Sequence, residues 1–143
     1  MTEEEVREFF EKLRGQRQEL QSLIQERENV ARDIASVKAV RYDKPKITVS
    51  SNSDLAQLLE QILEECGGLD KQLAACMQVL TDMRKEAYAL LALCDDPRDK
   101  AVLYDRYLAG MSWAQIEKKY GRTRQWLDQE RRRAFYVISL KSH

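Results

Sequence analysis

Residues 103–127, LYDRYLAGMSWAQIEKKYGRTRQWL, contain the turn that decides the fold of the last third of the chain. Ser112 can cap the helix that begins beside it, and Ile116 and Tyr120 fall one turn apart on the inner face of that helix. Gly121 accepts the left-handed backbone that ends one helix and lets the next leave at a steep angle. The stretch therefore predicts two short amphipathic helices joined by a tight turn.

The second of these helices is predicted over residues 124 to about 140, with Thr123 as its cap. Its inner face is expected to carry Leu127, Ala134 and Ile138. The polar side chains between them would point outward, where a recognition helix meets a major groove. These outward residues are Arg124, Gln125, Asp128, Gln129 and Arg132. The pattern indicates a helix-turn-helix.

The charge of the chain is unevenly distributed. Residues 97–143 contain eleven Lys or Arg against five Asp or Glu, a net charge of +6. Since the whole chain has 24 residues of each sign, residues 1–96 carry a net charge of −6. A basic segment that coincides with a turn motif indicates a polyanion as partner, and a solvated helix face is the alternative interpretation.

Two long heptad patterns precede the turn motif. The first runs from Val6 to Val37 and is interrupted at Gln16 and Arg27, polar residues of the kind that fix register or partner number. The second runs from Leu55 to Cys94 without interruption. At about 1.5 Å per residue each helix would be roughly 55 to 60 Å long, and the matched lengths predict that the two helices pair.

The segment between the heptad patterns is expected to break the helix and reverse the chain. Residues 41–53 contain Pro45, a β-branched run and a Ser/Asn cluster, all of which disfavour a continuous helix. Asn52 or Ser53 would then cap the second helix, and Asp54 would lie in its first turn.

These patterns together predict an all-α fold of two domains. Residues 1–96 would form a long antiparallel coiled-coil hairpin that serves oligomerisation, with helices at about 3–40 and 54–94. Residues 97–143 would form a small three-helix helix-turn-helix domain. The glycine pair at 67–68 indicates a bend or a close helix approach, because each glycine should cost roughly 1 kcal/mol relative to alanine inside a helix.

The apolar residues of each heptad pattern form a stripe along one side of its helix, which we call the seam. Several apolar residues beside the two seams would stay partly exposed in an isolated hairpin. They are Phe10, Ile24, Leu58, Val79 and Leu93. Burial of these side chains against a second copy predicts a homo-oligomer, most simply a homodimer. The alternative is a monomer whose hairpin folds back on the carboxy-terminal domain.

The chain lacks the residue patterns of common catalytic and metal sites. Cys66, Cys76 and Cys94 have no metal spacing and fall on an apolar stripe, as is typical of buried thiols in a reducing compartment. The single histidine is His143, and no phosphate-binding glycine loop is present. No apolar run is long enough for a membrane span, and the acidic amino terminus does not resemble a secretion signal. We therefore expect a cytoplasmic protein that is not an enzyme and has no cofactor, metal or membrane partner.

Residues 98–133 resemble region 4 of the sigma-70 family, the helix-turn-helix that reads promoter −35 elements. The resemblance rests on residues 101–116, AVLYDRYLAGMSWAQI, followed by Gly121 and Thr123-Arg124. With its amino-terminal coiled coil and its Tyr42-Asp43-Lys44-Pro45 connector, the chain is similar to small regulators of Gram-positive phages and prophages. That group includes the ArpU- and RinA-type late transcription activators and their uncharacterised relatives.

The resemblance implies a sequence-specific regulator of phage or prophage transcription that binds double-stranded DNA. Such a regulator would either recruit or modify host RNA polymerase or simply occupy DNA. The helix over about 123–140 would lie in the major groove. The residues implied to read base edges are Arg124, Gln125, Asp128 and Gln129. Those implied to contact the DNA backbone are Lys118, Lys119, Arg122, Arg131, Arg132 and Arg133. The side-chain chemistry agrees, because glutamine pairs with adenine, arginine with guanine, and a carboxylate accepts from cytosine.

Two residues depart from the family pattern, and two other functions stay open. Glu117 stands where the family has a small residue, and Trp126 is larger than expected, so either could tilt the reading helix or belong to a protein contact. Trp113 and Tyr107 are expected in the core. One alternative function is a phage DNA-packaging protein of the small terminase subunit kind. The other is a protein-interaction module without DNA binding, in which Trp126 and the arginines form a hot spot.

Overall fold

A computed structural model describes residues 1–43 and 49–142, and it describes the side chains of residues 1–39 and 54–142. Secondary structure within these ranges is entirely helical, which confirms the predicted all-α class. The elements are α1 (Glu3–Asp43), α2 (Val49–Leu91), α3 (Pro97–Leu103), a π-helical segment (Tyr104–Leu108), α4 (Trp113–Tyr120) and α5 (Arg124–Lys141).

The two long helices pack together as a hairpin, as predicted, but their limits differ from the predicted ones. Helix α1 continues to Asp43, and α2 begins at Val49, so Asn52 and Ser53 lie inside the helix and the prediction of a cap there is wrong. Serine and asparagine each disfavour a helix by less than about 1 kcal/mol, which makes a Ser/Asn cluster a weak stop signal. The rest of the expected connector, residues 44–48, lies outside the described residues.

The predicted apolar seam of the second heptad pattern is confirmed by burial, although α2 ends at Leu91 and its last position, Cys94, lies beyond the helix. All twelve positions are buried or half-buried: Leu55, Leu59, Ile62, Cys66, Leu69, Leu73, Cys76, Leu80, Met83, Ala87, Leu90 and Cys94. Arg27, one of the two polar interruptions in α1, donates from Nε to Asp70 Oδ1 of α2 at 2.7 Å. This hydrogen bond raises the pKa of Arg27. The ion pair links the two helices at the position where a polar residue was predicted to fix register.

The chain divides into two compact units, one made of Met1–Gln18 with Gln78–His143 and the other of Glu19–Met77. This division does not follow the predicted domain limit at residue 96. In the first unit the ring of Phe10 lies 5.4 Å from that of Tyr107 and 5.7 Å from that of Phe135. A segment as short as residues 97–143 buries a smaller share of its surface than a larger domain does, and the first turns of α1 add apolar surface to its core.

The exposure of the residues beside the seams agrees with the prediction except at Phe10, which is fully buried. Ile24, Leu58 and Val79 are exposed, and Leu93 is half-buried. The three cysteines are buried thiols, and burial raises the pKa of Cys94 to about 11. No helix within the described ranges combines the length and the apolar character needed to cross a membrane.

Helix α2 runs through Gly67 and Gly68 as one helix, and a Cβ added at either position would meet nothing within 4 Å. These described positions therefore show no close approach of another helix. We expect Gly67→Ala and Gly68→Ala each to raise the free energy of unfolding by about 0.5 to 1 kcal/mol, because alanine restricts the unfolded chain and suits a helix. Urea unfolding followed by circular dichroism measures the change.

Gly121→Ala is the matched control for these two substitutions. Its Cβ would also enter open space, but the backbone there has φ +63, which disfavours any side chain by about 1 to 2 kcal/mol. Alanine should therefore destabilise the protein at Gly121. A loss of stability in the Gly67→Ala and Gly68→Ala variants would contradict the open space that surrounds these two positions.

Candidate nucleic-acid interface

The predicted helix-turn-helix geometry is confirmed at each of its three signals. Ser112 Oγ accepts from the amide of Gln115 at 3.2 Å, and the side chain of Gln115 accepts from the amide of Ser112 at 2.9 Å, so α4 begins with a capping box. Gly121 ends α4 in the left-handed conformation, with φ 63 and ψ 35. Thr123 Oγ1 accepts from the amide of Trp126 at 3.2 Å and caps α5.

A compact apolar core fixes the angle between α4 and α5. Its buried members are Val102, Trp113, Ile116 and Leu127, with Met111, Tyr120 and Trp126 packed around them. The predicted inner face of α5 is confirmed, because Leu127, Ala134 and Ile138 are all buried. Trp113 and Tyr107 are buried as expected. The half-buried Trp126 ring packs against this core and lies beneath the guanidinium of Arg122 at 5.0 Å, which accounts for its large side chain.

The π-helical segment that follows α3 holds the carboxyl end of α4 through hydrogen bonds. Asp105 in this segment is buried and accepts from Lys119 Nζ at 2.9 Å and from the hydroxyl of Tyr120. Burial and the hydrogen bond to Asp105 raise the pKa of Tyr120. Lys119, which the resemblance implies to be a phosphate contact, is therefore paired within the protein, although about half of its side chain is exposed.

The outward side of α5 carries a stripe of exposed side chains that we call the α5 face. It consists of Gln125, Gln129, Arg132 and Tyr136, which follow one another at steps of four, three and four residues. The first three make no hydrogen bond or ion pair with any described residue. Tyr136, which is 53% exposed, was missed by the sequence reasoning, although its spacing from Arg132 would have indicated it. The face thus presents two free amides and a free guanidinium.

The other two residues implied to read bases are paired with each other. Arg124 Nε lies 3.2 Å from Asp128 Oδ1, and its guanidinium lies 4.3 Å from the ring centroid of Trp113. Asp128 also pairs with Arg131 at 3.3 Å. Arg124 is exposed and can reorient, whereas Asp128 is held between two cations and is half-buried. The geometry brings Gln125 and Gln129 outward but ties Asp128 to the protein.

Arg131 lies largely inside the fold, with only 17% of its side chain exposed. It donates to the hydroxyl of Tyr107 at 3.4 Å, and that hydroxyl donates to Glu11 at 3.0 Å. Burial raises the pKa of Tyr107 to about 12. Arg131 therefore joins α5 to α1 and to the π-helical segment, and it is poorly placed to reach a phosphate.

Arg133 is held by two buried carboxylates. Its Nε lies 3.2 Å from Asp99 Oδ2 of α3, and its Nη2 pairs with Glu130 one turn away. Asp99 and Glu130 are only 2% and 5% exposed. By contrast Lys118, Arg122 and Arg132 are exposed and have no ion pair among the described residues. Of the residues implied to contact the DNA backbone, these three are the ones whose charged groups remain available for a phosphate.

Arg133→Ala is expected to lower the midpoint of thermal unfolding by several degrees, whereas Arg132→Ala should leave it unchanged. The reason is that Arg133→Ala leaves the buried carboxylates of Asp99 and Glu130 without their guanidinium, and an unpaired buried charge is strongly unfavourable. Thermal unfolding followed by circular dichroism gives both midpoints. Equal midpoints for the two variants would contradict the assignment of Arg133 to the fold.

The structure thus separates the ten implied site residues by what surrounds them. Those exposed and without an ion pair among the described residues are Lys118, Arg122, Gln125, Gln129 and Arg132; those paired within the protein are Lys119, Arg124, Asp128, Arg131 and Arg133. Helical spacing alone could indicate the pairs along α5, such as Arg124 with Asp128 and Arg133 with Glu130. The pairs with Asp105, Glu11 and Asp99 could not be read from the sequence, because these partners lie on other helices. No protein-family model, curated protein or solved structure matches this chain significantly.

Proposed function

We propose that this chain is a sequence-specific regulator of transcription that binds double-stranded DNA and inserts α5 into the major groove. The observation that carries the proposal is the α5 face. It joins free amide and guanidinium groups to a helix whose angle is set by the Gly121 turn. Helix-turn-helix proteins read base edges with such residues near the start of the second helix.

The chemistry of the α5 face suits direct readout. Gln125 and Gln129 can each donate to and accept from the major-groove edge of adenine, and Arg132 can bind guanine or a phosphate. Lys118 and Arg122 flank the turn and supply positive charge for the DNA backbone. Phosphate contacts would give affinity, and the glutamines would give sequence choice.

The net charge of +6 over residues 97–143 supports a polyanion as partner. On the basis of the resemblance, we further propose that the target is phage or prophage DNA, that host RNA polymerase is a second partner, and that the protein is not an enzyme. Two half-sites would be bound by a homodimer, for which the exposed Ile24 and Leu58 offer apolar surface in the Glu19–Met77 unit.

Selection of bound fragments from phage and host genomic DNA tests this function. The expected result is enrichment of one motif, with binding that weakens steeply as salt rises, because cations are released from neutralised phosphates. Absence of salt-sensitive DNA binding at low ionic strength would refute the proposal and favour a protein-interaction module. Mass in solution should correspond to a dimer, and a large ring would instead favour a DNA-packaging role.

A further inference from the structure

A group of guanidinium side chains surrounds the indole ring of Trp113, at the amino end of α4. The guanidinium carbons of Arg106, Arg124 and Arg131 lie 4.7, 4.3 and 5.4 Å from the ring centroid. Cations bind the face of an aromatic ring, so the indole holds these like charges close together.

A fourth guanidinium reaches this group from α1. Arg14 Nη1 donates to the backbone carbonyl of Arg106 at 2.9 Å and to that of Met111 at 3.4 Å. Arg106 Nη1 donates to the same carbonyl of Met111 at 3.4 Å. The two arginines therefore converge on the residue that precedes the cap of α4.

The positive charge at this point is not balanced. Arg124 and Arg131 pair with Asp128, and Arg131 also lies 3.8 Å from Glu11, so two carboxylates face four guanidinium groups. Neither Arg14 nor Arg106 forms an ion pair with any carboxylate in the described parts of the chain. The Nε of Arg106 is buried and has no hydrogen-bond partner among those residues. Burial lowers the pKa of Arg106, and the charge of Arg14 lowers it further. An anion that joined Arg14 and Arg106 would relieve this repulsion.

The amino end of α4 adds to the positive electrostatic potential around Arg14 and Arg106. The backbone amides of Trp113 and Ala114, its first two residues, donate to no acceptor in the described ranges. Free amides and the helix dipole favour an anion at such an end.

We propose that Arg14 and Arg106, with the amino end of α4, form a second anion site that binds a phosphodiester of DNA beside the segment that α5 reads. The ligand's identity as DNA rests on the proposed function, whereas the site itself rests on the arrangement of the arginines. Helix α1 is thereby a part of the DNA-binding surface as well as of the hairpin. Binding through this site carries no sequence choice, because a phosphate is the same at every base pair.

Arg14→Gln tests the site through the salt dependence of DNA binding. The expected result is weaker binding to all sequences and a slope of log affinity against log salt that is smaller by about 0.9, the value for one lost phosphate contact. Arg14→Lys should keep the wild-type slope, since it keeps the charge. Arg32→Gln, an exposed position of α1 outside this group, is the matched control and should change nothing. A wild-type slope for Arg14→Gln, or an equal loss for Arg14→Lys, would overturn the proposal.

A titration with inorganic tripolyphosphate tests the same site without DNA. In a Trp126→Phe background the fluorescence reports Trp113 alone, and circular dichroism verifies that the background is folded. We expect a saturable fluorescence change, with an apparent dissociation constant at least several-fold higher when Arg14→Gln is added. No change, or equal affinities with and without Arg14→Gln, would overturn the site. If the wild-type chain bound no DNA, the proposed function would fail, and this titration would still decide whether the anion site exists.

Discussion

Phe10→Ala is expected to lower the free energy of unfolding of the Met1–Gln18 and Gln78–His143 unit by about 3 to 5 kcal/mol. The Phe10 side chain is completely buried, and its ring stacks on Phe135 of α5 at 5.7 Å and lies against Tyr107 at 5.4 Å. Truncation would remove a large apolar side chain and leave a cavity between α1 and the helices that follow Pro97. Urea unfolding followed by circular dichroism measures the loss.

Leu140→Ala is the matched control for this prediction. Leu140 lies in the same unit but is 57% exposed, so its truncation should change the free energy of unfolding by less than about 1 kcal/mol. A peptide of residues 97–143 alone should also be much less stable than the full chain, because it lacks Val6, Phe10 and Leu13. A stable, fully folded peptide, or equal effects of the two substitutions, would contradict a shared core.

The helices and the turn could be predicted because their signals are local. Ser112 and Thr123 each accept from an amide three residues further on, and Gly121 donates its own amide to the carbonyl of Glu117. A heptad pattern likewise needs only one helix to be visible. The burial of Phe10 could not be predicted in this way. Its partners lie about 100 residues away along the chain, and the heptad pattern of α1 alone placed Phe10 beside the seam.

The candidate site was predictable in its outward direction and in the ion pairs along α5, but not in its ion pairs with other helices. Helical spacing is enough to place Gln125 and Gln129 on the side of α5 opposite Leu127. The ion pair of Arg133 with Asp99 depends on how α3 crosses α5, which the sequence does not reveal. For the same reason the three arginines at residues 131–133 look alike in the sequence, although they differ in burial and in partners.

Gln125→Ala and Gln129→Ala are each expected to reduce the preference for the target over a site with the contacted base pair changed by about 5- to 150-fold. This range corresponds to the 1 to 3 kcal/mol of discrimination that one bidentate contact provides. Neither side chain has a hydrogen bond or an ion pair within the described structure, so the stability of the protein should not change. Competition binding with the motif obtained by fragment selection measures the preference.

Arg132→Ala is the variant to compare with Gln125→Ala and Gln129→Ala. If Arg132 contacts a phosphate, its removal should weaken binding to every sequence and reduce the salt slope by about 0.9, while the order of preferred sites stays the same. The glutamine variants should do the opposite, changing preference and leaving the slope intact. Unchanged preference in both glutamine variants, together with an unchanged slope for Arg132→Ala, would mean that the α5 face does not contact DNA. That outcome would favour the alternative interpretation, in which these side chains form a solvated helix face.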